Sequence, residues 1–226
     1  MPARENQPLL VSRRIPIHDL SMRSRSPGYS HPWRRAIVTA FVLLFFHAAL
    51  PVRADDVFEH PESRLRLPER LGNFERGRIH RYDDPRLGVQ VTYRASGLGK
   101  LDVYLFDYGS RDIPDGIASE QVQAAFAKAD QEIQSFGASG QYRELQRLTA
   151  PGISLRTPPG DPPWLLAAYR LRAGADPAPP LVSWLLLGAS RAHFVKVRFT
   201  HAAEQTEIAS SEISAFVRAL ADANRP

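Results

Sequence analysis

The sequence predicts an α+β fold: an antiparallel sheet of about six to seven strands, packed with a mid-chain helix and a C-terminal helix as an α-β-α sandwich. Three observations carry this. Segments whose side chains alternate with a period of two fall into two groups, 74–108 and 152–200, and do not alternate singly with helices. One segment between the groups and one after the second place apolar residues three and four apart, the period of a helix face. Residues 100–108 and 181–189 are apolar on both faces, so those strands belong at the sheet centre with a helix on each side. The alternative is one bare apolar face that binds a partner.

The elements follow in order. Phe74 to Tyr82 reads as a weak strand, ended by the turn Asp83-Asp84-Pro85, where proline fixes φ and aspartate bonds its own backbone. Leu87, Val89, Val91 and Tyr93 alternate with polar residues and predict a half-buried strand. Ser96 to Gly99 turns the chain into the strand 100–108, a short connection that suggests a hairpin. After a polar loop, Ser119 is placed to cap a helix whose stripe is Val122, Phe126, Ala129, Ile133 and Phe136. Gly137 and Gly140 break it, and Tyr142, Leu145 and Leu148 predict a second short helix. Strands are then expected at 152–156, 164–172, 181–189 and 192–200. Ala209, Ile213, Phe216, Val217 and Leu220 share one face of a last helix over 207–223.

The N-terminal region carries a different kind of information. Residues 1–31 are polar, Arg-rich and patternless, and are expected as a disordered leader; Met22 offers a second start within it. Residues 32–54 have the layout of a secretory signal peptide. Arg34 and Arg35 flank a 15-residue apolar stretch from Ala36 to Leu50, and Val52-Arg53-Ala54 supplies small residues at the two positions a signal peptidase reads, with cleavage after Ala54. The stretch is short of the roughly 20 residues that span a bilayer, so no permanent membrane anchor is expected after cleavage. Sec and twin-arginine export both stay open. Residues 55–71 read as a charged, flexible arm, and 72–224 as a single α+β domain.

Charge and composition exclude several functions. Residues 1–54 carry a formal charge of +6 and residues 55–226 a charge of −1, so the net +5 belongs to the leader. A nucleic-acid role loses its electrostatic footprint, which should sit on the folded domain. With 43% hydrophobic and 23% charged residues, the chain is not wholly disordered, collagenous or a multi-span membrane protein. The absence of cysteine excludes disulfides, thiolate metal sites, thiol nucleophiles and a lipidated N-terminal cysteine.

The order of elements, with stretches such as VYLFDYGSRDIPDG (103–116) and HFVKVRFTH (193–201), resembles the MOG1/PsbP-like α-β-α sandwich over about residues 65–223. It is also similar to exported bacterial proteins of unassigned function built on that plan. One of the two named families serves nuclear transport and the other photosystem assembly. The resemblance implies a binding or assembly protein more than an enzyme, and it carries no functional residue over.

Chemistry-bearing motifs are sparse. No G-x-S-x-G elbow is present, and Gly97-Leu98-Gly99-Lys100 is too short for a P-loop and reads as a hairpin turn. His193 and His201 share strand parity but stand about 26 Å apart in an extended chain, too far for one ion. His80 beside Asp83 and Asp84 reads as an ordinary turn. Asp107, Asp112 and Asp115 form an exposed polar patch flanked by Tyr104 and Tyr108, at a spacing that does not follow the calcium-loop rule. Arg170, Arg172, Lys196 and Arg198 have matching parity on the fifth and seventh strands and could hold an anionic ligand on one sheet face or edge. No catalytic residue, metal site or cofactor is assigned. The function expected is a non-enzymatic binding or assembly factor in the periplasm or outside the cell, acting on an envelope protein or a small ligand. The alternative is a periplasmic enzyme whose site is assembled from residues distant in sequence.

Overall fold

The computed structural model describes residues 56–225 apart from 151, 156 and 175. The expectations for residues 1–54, including cleavage after Ala54, lie outside the described residues. The strands are β1 (Val57–Glu59), β2 (Arg66–Pro68), β3 (Arg70–Leu71), β4 (Phe74–Arg81), β5 (Val89–Ala95), β6 (Gly99–Phe106), β7 (Tyr142–Arg147), β8 (Ser154–Leu155), β9 (Trp164–Ala173), β10 (Leu181–Ser190) and β11 (His193–Ala202). The helices are α1 (Glu120–Ala138) and α2 (Thr206–Ala223). β1 and β2 pair with each other. The other nine strands form one antiparallel sheet in the order β3-β4-β5-β6-β11-β10-β9-β7, with β8 also pairing β9. The α+β class, the antiparallel sheet and both principal helices agree with the sequence, while the sheet is wider than the six to seven strands expected.

Each face of the sheet meets one helix. On the first face, Ile213, Phe216, Val217 and Leu220 of α2 pack with Val91, Tyr93, Leu101, Val103, Val197 and Phe199. The Phe216 ring stands edge-on to Phe74 and Tyr93, at 5.4 and 5.2 Å between centroids. On the second face, Val122, Phe126, Ala129 and Ile133 of α1 pack with Leu165, Ala167, Tyr169, Leu185 and Leu187. Ser119 caps α1 as expected, its hydroxyl accepting the Val122 amide at 3.3 Å. The two strands that read as apolar on both faces, β6 and β10, lie inside the sheet on either side of β11.

Two segments differ from expectation. The short helix expected over 142–148 is the edge strand β7. It pairs β9 through a bulge between Arg143 and Gln146, with Glu144 at φ +52°. A bulge inserts a residue and shifts the alternation, so side chains three apart face the same way. Tyr142 and Leu145 accordingly both pack on the α1 side, which imitates a helical period. The segment 55–71, expected as a flexible arm, carries β1, β2 and β3. Leu65, Leu67 and Leu71 are buried in the α2 core, and the Asn224 side chain bonds both the amide and the carbonyl of Arg66 at 2.8 and 2.9 Å. Its interspersed charged residues point outward, which is why composition alone made it look loose.

Two glycines fix the β5–β6 hairpin against its neighbours. Gly88 (φ +64°) and Gly99 (φ +128°) adopt left-handed backbone, and a Cβ on either would collide with the carbonyl oxygen of Leu105 or Thr200. Among the described residues no helix is long and apolar enough to cross a membrane.

Candidate functional site

Two polar regions stand out. The first lies where β6 ends and β11 begins. The pairing of Phe106 with Phe194 sets Asp107 opposite His193, and the loop from β1 to β2 brings His60 and Glu62 to the same place. Together with Arg81 and Tyr82 they line a cavity of about 170 Å³. Ligand atoms of Glu62, Asp107 and His193 lie within 4.8 Å of one another. The His193 Nδ1 is 3.1 Å from the carbonyl oxygen of Arg191, which only accepts, so Nδ1 carries the proton. The other nitrogen, Nε2, faces Glu62 Oε2 at 3.5 Å.

His60 is buried and stands edge-on to His193 at 4.9 Å. Its Nδ1 accepts the Ser63 amide at 3.2 Å and lies 2.9 Å from the Ser63 hydroxyl. Burial holds the His60 pKa below the ordinary imidazole value.

The second region is the part of the α1-facing sheet surface that α1 does not reach. Register places its side chains in rows. One runs His80, Gln90, Tyr104, Lys196; the next Thr92, Asp102, Arg198; the third Glu75, Arg94, Lys100, Thr200. Arg78, His80, Tyr82, Gln90, Thr92, Arg94 and Lys100 line a shallow depression of about 420 Å³. Asp102 is buried and held by Thr92 Oγ1 at 2.7 Å and Lys100 Nζ at 2.8 Å. Among the described residues no carboxylate pairs with Arg78 or Arg94. The Lys196 ammonium lies 4.5 Å from the centre of the Tyr104 ring, and burial lowers its pKa from the ordinary lysine value. Burial raises the Tyr104 phenol, with Asp102 adding to the shift. Arg198 donates to the Ser183 hydroxyl at 2.9 Å, while its buried Nε has no partner.

The residues singled out from sequence separate on these two regions. Asp107 joins the first. Asp112 is exposed in the following loop, and Asp115 instead accepts the Arg191 amide at 2.7 Å, so the three aspartates do not converge. Lys196 and Arg198 belong to the second region. Arg170 and Arg172 point to the opposite face, because Arg170 is registered with Val182 and His201 while Arg198 is registered with Leu185. Matching parity on two strands joined through a third does not fix a common face; the register does. Arg172 is taken up locally, by Glu144 at 2.8 Å. Four residues distant in sequence, His60, Glu62, Asp107 and His193, escaped sequence reasoning as a group, since no spacing links them. The row holding Arg94 and Lys100 was legible only as strand residues on either side of a hairpin turn.

No protein-family model and no curated protein sequence matches the chain.

Proposed function

We propose that this chain is an exported, non-enzymatic binding factor of the periplasm or the extracellular space, and that its working surface is the open part of the sheet. The observation that carries the reading is the charge there. Arg78, Arg94 and Lys100 line one open depression, with Lys196 and Arg198 beside it on the same sheet face, against two carboxylates in these rows, the buried Asp102 and Glu75, which Arg70 pairs. A domain of net charge −1 that gathers cations on one face is complementary to an anion. A depression of about 420 Å³ has the size of a small-molecule site. The ligand is a small molecule carrying more than one carboxylate or phosphate group.

Export rests on the signal-like layout of residues 32–54, and the helix–sheet–helix layering supports the likeness to the MOG1/PsbP-like sandwich. A second reading, an enzyme whose site is assembled from distant residues, is favoured by the Glu62–Asp107–His193 cluster.

Calorimetric titration of the chain with citrate and, separately, inorganic pyrophosphate tests the binding reading and tells the two anion classes apart. Saturable binding of one of them is expected, weakening with salt and falling about tenfold or more in Arg94→Gln and Lys100→Gln, the loss of one charge-assisted hydrogen bond. Equal affinity in both variants would refute it. Cell fractionation with N-terminal sequencing tests export, with Asp55 expected as the first residue of the processed chain. Unprocessed chain retained in the cytoplasm would refute that part.

A further inference from the structure

The cluster at the other polar region has the construction of a metal site. The His193 side chain is 9% exposed and cannot turn away to water, whereas the Glu62 side chain is 72% exposed. Its ring is fixed from behind. Arg191 and Ala192 form the tight β10–β11 turn with φ of +52° and +60°, the left-handed pair expected of a two-residue hairpin. That turn is pinned three times: Asp115 accepts the Arg191 amide at 2.7 Å, and the Arg191 guanidinium donates to the carbonyls of Arg64 and Asn224 at 2.8 and 2.9 Å. The Arg191 carbonyl in turn accepts from His193 Nδ1. A backbone carbonyl on one imidazole nitrogen is the usual outer partner of a metal-bound histidine, because it fixes the tautomer that leaves Nε2 bare.

What Nε2 faces is the second part of the observation. On a neutral ring it is an acceptor, and so are the carboxylates of Glu62 and Asp107. Three acceptors gathered within 4.8 Å repel one another unless something positive stands between them. A proton on Nε2 is one answer. The 3.5 Å separation from Glu62 Oε2 exceeds the 2.7–2.9 Å usual for a charge-assisted hydrogen bond, so the geometry does not show that pair closed. A cation in the middle is the other answer, and a cavity of about 170 Å³ adjoins it.

We propose that Glu62, Asp107 and His193 bind a divalent first-row transition cation of the zinc or manganese class. One imidazole and two carboxylates are a borderline-to-hard donor set that suits such ions. Bonds near 2.1 Å put tetrahedral ligands about 3.4 Å apart, and the exposed Glu62 side chain closes the remaining distance. Asp107 is already aimed, since its Oδ1 accepts the Gly109 amide at 2.7 Å. His60 is a positioning residue: its Nδ1 is engaged by the Ser63 amide, and its ring packs against His193. Three protein ligands leave further coordination positions facing the cavity, which water or an anionic group fills. The inference uses none of the residues of the open sheet surface and stands independently of the anion-binding reading.

The test is titration of the intact chain with Zn²⁺, and separately Mn²⁺, against a competing chromophoric chelator, followed by NMR of the histidine ring nitrogens. One equivalent of at least one cation is expected to bind, with the His193 Nε2 resonance moving on addition and Nδ1 remaining protonated. Glu62→Gln, at an exposed position, leaves the fold intact and is expected to weaken binding about tenfold or more, as is Asp107→Asn. Three outcomes would overturn the proposal: no saturable binding of either cation, binding unchanged in both variants, or a His193 ring doubly protonated near neutral pH and unmoved by either cation.

Discussion

Along one row of cross-strand partners, His80, Gln90, Tyr104, Lys196, Leu187 and Leu165, a single sheet face passes from polar to apolar. The next row repeats the change, from Thr92, Asp102 and Arg198 to Leu185 and Ala167. The boundary falls between β11 and β10 in both. A helix is about 10 Å wide and strands lie about 4.8 Å apart, so one helix shelters only two or three strands. α1 covers the β10–β9–β7 side, and the residues beneath it are apolar. On the opposite face the same shortage is met differently: α2 is supplemented by β2, whose Leu67 extends the apolar cover. The polar rows are therefore not a poorly built core. They are the part of the sheet for which no cover exists among the described residues, and Arg78 and Arg94, which no described carboxylate pairs, line the depression there.

Exchanging residues across that boundary sharpens the contrast. Leu187→Lys puts an unpaired charge beneath α1, at a position with no exposure, and is expected to cost about 4 kcal/mol or more in denaturant unfolding. The reciprocal Lys196→Leu removes an ammonium whose burial already disfavours its charge. Stability is expected to stay within about 1 kcal/mol of the parent, on the stabilising side, while citrate binding weakens. Comparable losses in the two variants would erase the boundary.

On the same strand, His201 points to the α2-covered face, with its Nε2 buried and unpartnered. Burial lowers its pKa below the ordinary value of 6.5. Between the folded and unfolded pKa values the unfolded chain binds more protons, so His201 makes stability fall as pH drops below about 6.5 and level off once the folded pKa is passed. Chemical denaturation of parent and His201→Gln across pH 4.5–8 checks this, and the variant is expected to show the shallower slope. The smallest effect is expected from Arg94→Gln on the open surface, within about 0.5 kcal/mol in stability despite its loss of anion affinity.

Much of the fold was legible in the chain. The clean alternation in β5 and β11 and the stripes of α1 and α2 mark their own faces, because burial on one side imposes the period, while β6 was legible from apolar residues on both faces. β7 was not legible, because its bulge converts a period of two into a spacing of three. β1 to β3 were hidden because their apolar residues are few and set among charges. For the sites, Arg170, Arg172, Lys196 and Arg198 were read as one group, and the register puts Lys196 and Arg198 on one side of the sheet and Arg170 on the other, since the face of a strand is decided by register with partners distant in sequence. Asp107 was noticed for its local loop. Its companions Glu62 and His193 lie 45 residues before it and 86 after it, and only the sheet order brings them together.

The most direct test of the open surface as a ligand site is a citrate titration of the isotopically labelled chain followed by backbone amide NMR. Saturable shifts are expected, concentrated at Gln90, Thr92, Lys100, Asp102 and Tyr104, with Leu165, Ala167, Leu185 and Leu187 unmoved. An absence of shifts, or shifts centred on the covered side or on the His193 cavity, would contradict it.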